Sequence, residues 1–332
     1  RAGGSTMTRE DLQAHTTTVG APVSTGFAGV EHLSTGENSQ GTFYLEGLAA
    51  LDVLAGRRDR PLDALGADAG VVARVLSAAA LHRDQQLGDP EIAGSALEAL
   101  LGPEHAARLA DWAASPKGAP GGPEAPFPAT QPGSPVGTSK RRSGDTVAIV
   151  VTDGAGGWVS LIQSAFHAFG AAVLDPVTGI LLHNRGASFS LVPGSRNEIG
   201  PRRRPLHTLM PVLTRSGSRV TGSHGTMGGR AQHQIHTHLA LHLAAGADAV
   251  WAVSAPRWVL GRTGAGSPTQ DAERAASVEA GVPAAARGAL AAAGLPAYEL
   301  PDRSDTVGHS QLVREEDSGT VAATDPRADG AA

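Results

Sequence analysis

Between Ala114 and Gly144 the chain carries Pro116, Pro120, Pro123, Pro126, Pro128, Pro132 and Pro135, interleaved with Gly and Ser, and ends on the basic triplet Lys140-Arg141-Arg142. A stretch of this composition cannot bury enough apolar surface to offset the entropy of ordering it. Residues 114–145 are therefore expected to be a disordered tail or linker that separates two folded parts. Directly after it, Gly144-Asp145 leads into Thr146-Val147-Ala148-Ile149-Val150-Val151-Thr152, an abrupt change to strand-like sequence. A hydroxyl residue at such a seam becomes a new N-terminus if the chain is cut there. A threonine with a free α-amine is a nucleophile that carries its own base. An ordinary strand start is the better account of Thr146 taken alone, until other residues are considered.

The part before the seam reads as mainly helical. Residues 44–56, 68–82, 91–102 and 103–114 space Leu, Val and Ala at helical intervals, with Gly102-Pro103 as a break. Thr8, with Asp11 three residues later, is a candidate helix N-cap.

The part after the seam reads as β first. Strands are expected at Thr146–Thr152 and Trp158–Ser164, around a turn at residues 153–157, and at 180–183, 210–214 and 220–223. Helices are expected at 232–243, 272–280 and 284–293, and a final strand pair at 310–313 and 320–323. This order suggests an α+β sandwich rather than a doubly wound sheet.

The net charge of −5 gives no reason to expect nucleic acid or an anionic membrane as a partner, and Arg202-Arg203-Arg204 is one basic run in an acidic chain. The absence of cysteine excludes disulfides, thiol catalysis and Cys-ligated zinc. No apolar run reaches the ~18–20 residues needed to span a bilayer. No signal peptide is visible, so the cytoplasm is the expected compartment, although the chain begins at Arg1 and periplasmic or secreted locations stay open.

Three clusters bear on chemistry. Gly225-Thr226-Met227-Gly228-Gly229 reads as a turn between a strand and a helix, where consecutive N–H groups can stabilise an oxyanion; a plain tight turn fits equally well. His233, His236, His238 and His242 share one helix, and His238/His242 have the i, i+4 spacing of helical zinc pairs. The Glu of the metalloprotease motif is missing, so surface or half-buried polar roles are expected and no metal. Arg185 follows the apolar run Ile180-Leu181-Leu182, where an Arg can clamp a carboxylate bidentately or simply be solvated.

Taken together, these segments resemble the γ-glutamyltransferase family of N-terminal-nucleophile hydrolases. The matching pieces are Gly144-Asp145-Thr146, residues 160–164, 166–170, 178–186 and 204–211, Gly225-Thr226-Met227-Gly228-Gly229, Ala255-Pro256-Arg257-Trp258 and the ending from Asp325-Pro326-Arg327. Residues 12–54 also look like the end of the family's large subunit, so Arg1 is expected to lie within that subunit. The resemblance implies an αββα sandwich built from a self-cleaved precursor. Cleavage between Asp145 and Thr146 would leave residues 1–113 as the C-terminal part of the large subunit, 114–145 as its tail and 146–332 as the small catalytic subunit.

The resemblance further implies Thr146 as nucleophile, Ser164 as a second hydroxyl beside it, and Gly228 and Gly229 as oxyanion donors. It places Asn184, Arg185, Ser188, His207 and Thr208 in the substrate pocket. It implies no cofactor, and a small amide or γ-glutamyl substrate whose acyl group passes to water or an amine. The pocket departs from glutathione-acting members: Arg185 and Ser188 stand where a Gln and an Asp hold the γ-glutamyl amine, His207-Thr208 replaces a Ser pair, and Phe166 replaces an Asn. Replacing an acidic amine site by Arg reverses the local charge, which favours a carboxylate near the scissile amide. The pattern looks like the divergent bacterial branch with Asn-Arg-Gly, which includes oxamate amidohydrolase-like and acylase-like enzymes. A non-catalytic family member is the remaining alternative.

Overall fold

The computed structural model describes residues 7–95, 97–115, 146–261 and 275–332. The expected tail therefore falls outside the described residues, apart from Ala114 and Ser115.

The first half opens with α1 (Arg9–Gln13), capped by Thr8, whose side chain accepts from the Asp11 N–H while Asp11 accepts in return. Two strands follow, β1 (Val23–Phe27) and β2 (Val30–Ser34). Then come α2 (Gly41–Arg58), α3 (Ala69–Gln86), α4 (Pro90–Ala93), α5 (Leu97–Leu101) and α6 (Pro103–Ala114). The single helix expected over 91–102 is interrupted because Gly94 takes φ 75°, a left-handed value that ends α4.

The second half starts with the hairpin β3 (Thr146–Thr152) and β4 (Trp158–Ser164), followed by β5 (Val212–Ser216), β6 (Arg219–Met227), α7 (Gln232–Ala244), α8 (Ala249–Ser254) and β7 (Trp258–Leu260). It ends with β8 (Ala276–Glu279), α9 (Ala284–Ala292), β9 (Ala297–Leu300), β10 (His309–Glu316) and β11 (Gly319–Thr324). Three expectations are corrected. Residues 180–183 form no regular strand; Leu181 makes one isolated bridge to Leu174 in a long irregular segment. Within 272–280, residues 276–279 are strand β8 rather than helix, and 272–274 lie outside the described residues. Gly225, Thr226 and Met227 lie inside β6, paired with Gln311, Ser310 and His309, so the turn begins at Gly228.

The halves share one six-stranded sheet, ordered β1-β2-β5-β6-β10-β11, so the region before the seam supplies two edge-side strands as well as helices. Alternation along β6 separates its two faces. Ser223 donates to the Val159 carbonyl at 2.8 Å, and a Cβ on Gly225 would come 2.8 Å from Ala148 Cβ, so this face carries the β3–β4 hairpin. His224 points the other way and stacks against His236 of α7, on the face covered by α2 and α7. Helices, sheet and hairpin thus form three successive layers. The hairpin's outer residues Val147, Ile149, Val151, Val159 and Leu161 are about half exposed. β7, β8 and β9 form a separate small sheet packed beside α3 and α9.

The main core joins α2, α3, α7 and the small sheet through Leu45, Leu48, Leu51, Leu76, Leu241 and Trp258. Two buried polar clusters support it. Glu46 of α2 accepts from His82 of α3 and, at 2.7 Å, from His105 of α6, fastening three helices. Near the C-terminus, Arg257 and Arg327 flank Asp325, each at 2.9 Å, and Arg327 also meets Glu279 at 2.6 Å, all essentially out of solvent. Arg257 also donates to the Gly308 carbonyl at 2.9 Å.

Removing one member of such a network leaves a buried charge uncompensated, which costs about 3–5 kcal/mol. Asp325→Ala is expected to lower unfolding stability by that amount in a urea titration; a change below ~1 kcal/mol would show the network to be dispensable. Burial pushes the Asp325 carboxyl up, but Arg257 and Arg327 outweigh it and hold it below its ordinary value of 3.8. Its contribution is therefore present above that value and is lost as pH falls through the folded-state value.

Candidate active site

The hairpin places Thr146 opposite Ser164 in register, and their hydroxyls share a hydrogen bond of 2.8 Å. Ser164 Oγ also accepts the Phe166 N–H at 3.0 Å, so the second hydroxyl connects Thr146 to the loop that follows β4. That loop is bent by Phe166, which takes φ 75°. The Asn184 side chain secures it: Oδ1 accepts the His167 N–H, and Nδ2 donates to His167 Nδ1, both at 3.1 Å. Asn184 is thus committed to shaping the loop.

Phe166 stacks on His167, and the Arg185 guanidinium carbon lies 4.0 Å from the Phe166 ring centroid. Arg185 is only 7% exposed, no carboxylate pairs with it among the described residues, and its Nη1 has no hydrogen-bond partner. Burial pushes its pKa down to about 10, which still leaves it charged at neutral pH. His207 is driven down to about 4 by burial and by the Arg185 charge, so it is neutral there, and its Nδ1 is buried without a partner. A buried cation beside a neutral imidazole, with a guanidinium donor unspent, has the chemistry to accept an anion.

The other pocket residues serve the framework. The Ser188 hydroxyl lies 2.8 Å from both the Arg185 and Leu206 carbonyls and donates between them. Thr208 is buried, and its carbonyl accepts from Gln40. Gly228 and Gly229 follow β6 and open the turn into α7. A Cβ on Gly228 would collide with Ile235, and Gly229 takes φ 53°, so both positions favour glycine. They sit next to Met227, which pairs with His309, and His309 lines one 330 Å³ cavity with Thr146. Of the expected cleavage site, Thr146 alone lies among the described residues.

His233, His236, His238 and His242 are all buried, not surface or half-buried as their spacing suggested, because α7 runs between the main sheet and β7. Burial lowers the pKa of each. Among the described residues, Glu46, His82 and His105 form the one group with three metal-capable atoms within 4.8 Å of one another. Their contacts have hydrogen-bond spacing, and they read as the helix fastening described above. Among the described residues no helix is long and apolar enough to cross a membrane.

Sequence reasoning missed Gln40 and Arg83. Both reach the Gly228–Ala231 turn from the first half, and nothing local in their segments signals it.

The oxamate amidohydrolase proenzyme of Klebsiella pneumoniae is 33% identical over 343 residues, covering 99% of this chain and 58% of that protein. The glutathione hydrolase-like YwrD proenzyme of Bacillus subtilis is 36% identical, covering 78% of this chain and 46% of its own length. The chain thus spans about half the length of these curated relatives. The crystal structure of cephalosporin acylase from Bacillus halodurans superposes with a TM-score of 0.80 at 25% identity, covering 99% of this chain and 56% of that one. The fold is that of the N-terminal-nucleophile hydrolases. The profile described as gamma-glutamyltranspeptidase matches residues 1–332, and the chain belongs to that family.

Proposed function

We propose that the protein is a self-processing amide hydrolase or acyltransferase in which cleavage between Asp145 and Thr146 frees Thr146 as nucleophile. Residues 1–113 then belong to the large subunit, 114–145 to its tail and 146–332 to the small subunit. The observation that carries this reading is the Thr146–Ser164 hydroxyl pair at the start of β3. Thr146 Oγ attacks the amide carbonyl, and its proton passes to the Thr146 α-amine. Gly228 and Gly229 N–H groups hold the tetrahedral oxyanion. Collapse forms an ester to Thr146, and the α-ammonium returns its proton to the departing amine. Water, or an acceptor amine, then attacks the ester by the reverse proton path and regenerates free Thr146.

The buried Arg185, with which no carboxylate pairs among the described residues, favours a donor whose acyl part carries a carboxylate, as in the oxamate that names one relative, over a γ-glutamyl group whose ammonium would face the guanidinium. Glutaryl-p-nitroanilide and γ-glutamyl-p-nitroanilide place a carboxylate and a scissile amide on a common carbon chain, but only the latter carries the α-ammonium. Glutaryl turnover is expected to exceed γ-glutamyl turnover by at least about tenfold, equivalent to ~1.4 kcal/mol, with oxamate also hydrolysed. Preference for the γ-glutamyl compound would return the protein to glutathione-type chemistry.

A further inference from the structure

The glycine turn is held from behind, and part of the hold comes from the half of the chain before the seam. Three successive carbonyls are occupied. Gly228 O accepts the Ala231 N–H at 2.9 Å, Gly229 O accepts Gln40 Nε2–H at 2.8 Å, and Arg230 O accepts Arg83 Nη1–H at 2.9 Å. In a planar trans peptide the C=O of one residue and the N–H of the next share a plane, so the Gly228 carbonyl contact aims the Gly229 N–H, and the Gln40 contact to Gly229 O fixes the following peptide plane, restraining Gly229 from its far side. Gln40 spends its second amide proton on Thr208 O at 2.9 Å, which ties the turn to the segment containing His207.

Gln40 occupies the N-cap of α2, a position where a short polar side chain usually bonds the helix's own N–H groups. It makes no such bond. Its side chain is fully buried, and Oε1 finds no hydrogen-bond partner among the described residues. The side chain thus does nothing for its own helix, which Gln40 serves only through its carbonyl; its amide is directed at two carbonyls contributed by the second half of the chain.

We infer that Gln40 is a positioning residue for the oxyanion turn. Its NH₂ group holds the Gly229–Arg230 peptide, the plane that directly follows the Gly229 N–H, and couples it to Thr208, so the first half of the chain restrains the turn in which the second half does chemistry. The inference rests on the reading of Thr146 as nucleophile.

Gln40→Leu and Gln40→Glu in the full-length protein test it, alongside wild type and Thr146→Ala, with glutaryl-p-nitroanilide as substrate. Misorienting the donors removes stabilisation realised in the transition state, so Gln40→Leu is expected to lower kcat roughly 10- to 100-fold with KM within about threefold. In Gln40→Glu the carboxylate repels both carbonyls, whereas its protonated form donates one hydrogen bond. The ratio of its kcat to that of wild type should therefore rise as pH falls, a response that a purely structural role does not produce. If Gln40→Leu fails to fold, this pH-dependent ratio decides. A Gln40→Leu kcat within twofold of wild type, a loss confined to KM, or a flat Gln40→Glu ratio overturns the inference while Thr146→Ala remains inactive. Undiminished turnover by Thr146→Ala would instead remove the underlying reading.

Discussion

Replacing Thr146 by Ala should leave the protein as a single chain and reduce its amide turnover by at least about 10⁴-fold, the scale on which loss of a nucleophile is felt. The size of the effect follows from the double use of one hydroxyl. In the proposed mechanism Thr146 Oγ attacks the peptide bond before it in the precursor and the substrate in the mature form. Ser164 cannot substitute, because its oxygen is already committed to the Phe166 N–H and it carries no terminal amine. The pH profile separates this account from one that uses a histidine base. Arg185 and His207, at about 10 and about 4, do not titrate between those limits. An acid limb in kcat/KM should then report the Thr146 α-amine, ordinarily about 7.7–8.0.

Arg185→Leu should have the next largest effect, and in a direction that identifies its role. Truncating one partner of a buried hydrogen-bonded charge pair costs about 2–5 kcal/mol. For a carboxylate-bearing donor this corresponds to a fall in kcat/KM of roughly 30- to 5,000-fold. Turnover of γ-glutamyl-p-nitroanilide should be unchanged or improved, because the repelling charge has gone. The same substitution removes a buried cation that no carboxylate compensates among the described residues, so the melting temperature should hold or rise. A variant that loses stability while keeping its substrate preference would mark Arg185 as a framework residue.

The hairpin was readable because Thr146–Thr152 and Trp158–Ser164 are rich in Val, Ile, Thr and Trp on either side of a glycine turn, and both strands form with those ends. Strand β8 was not. Ala276-Ser277-Val278-Glu279 is only four residues long and is flanked by Ala272, Ala275 and Ala280, so the local composition suggests a helix. The two strands before the seam were missed because they are short; they pair with each other, and β2 joins the main sheet through β5, well over a hundred residues away.

At the site, Thr146, Ser164, Gly228 and Gly229 were named from motif and order, and the charge of Arg185 from its identity. What Arg185 lacks could not be read from sequence, because the absence of a partner depends on everything packed around it. The commitment of Asn184 to His167, and of Gln40 to Gly229, are likewise products of tertiary contact.

The central claim is that Thr146 becomes an N-terminal nucleophile. Intact-mass analysis with N-terminal sequencing of the purified full-length protein tests it most directly. The account predicts two fragments, the smaller beginning Thr146-Val147-Ala148 and extending to the C-terminus. An active protein that remains one uncut chain, or a new N-terminus at any other residue, would contradict it.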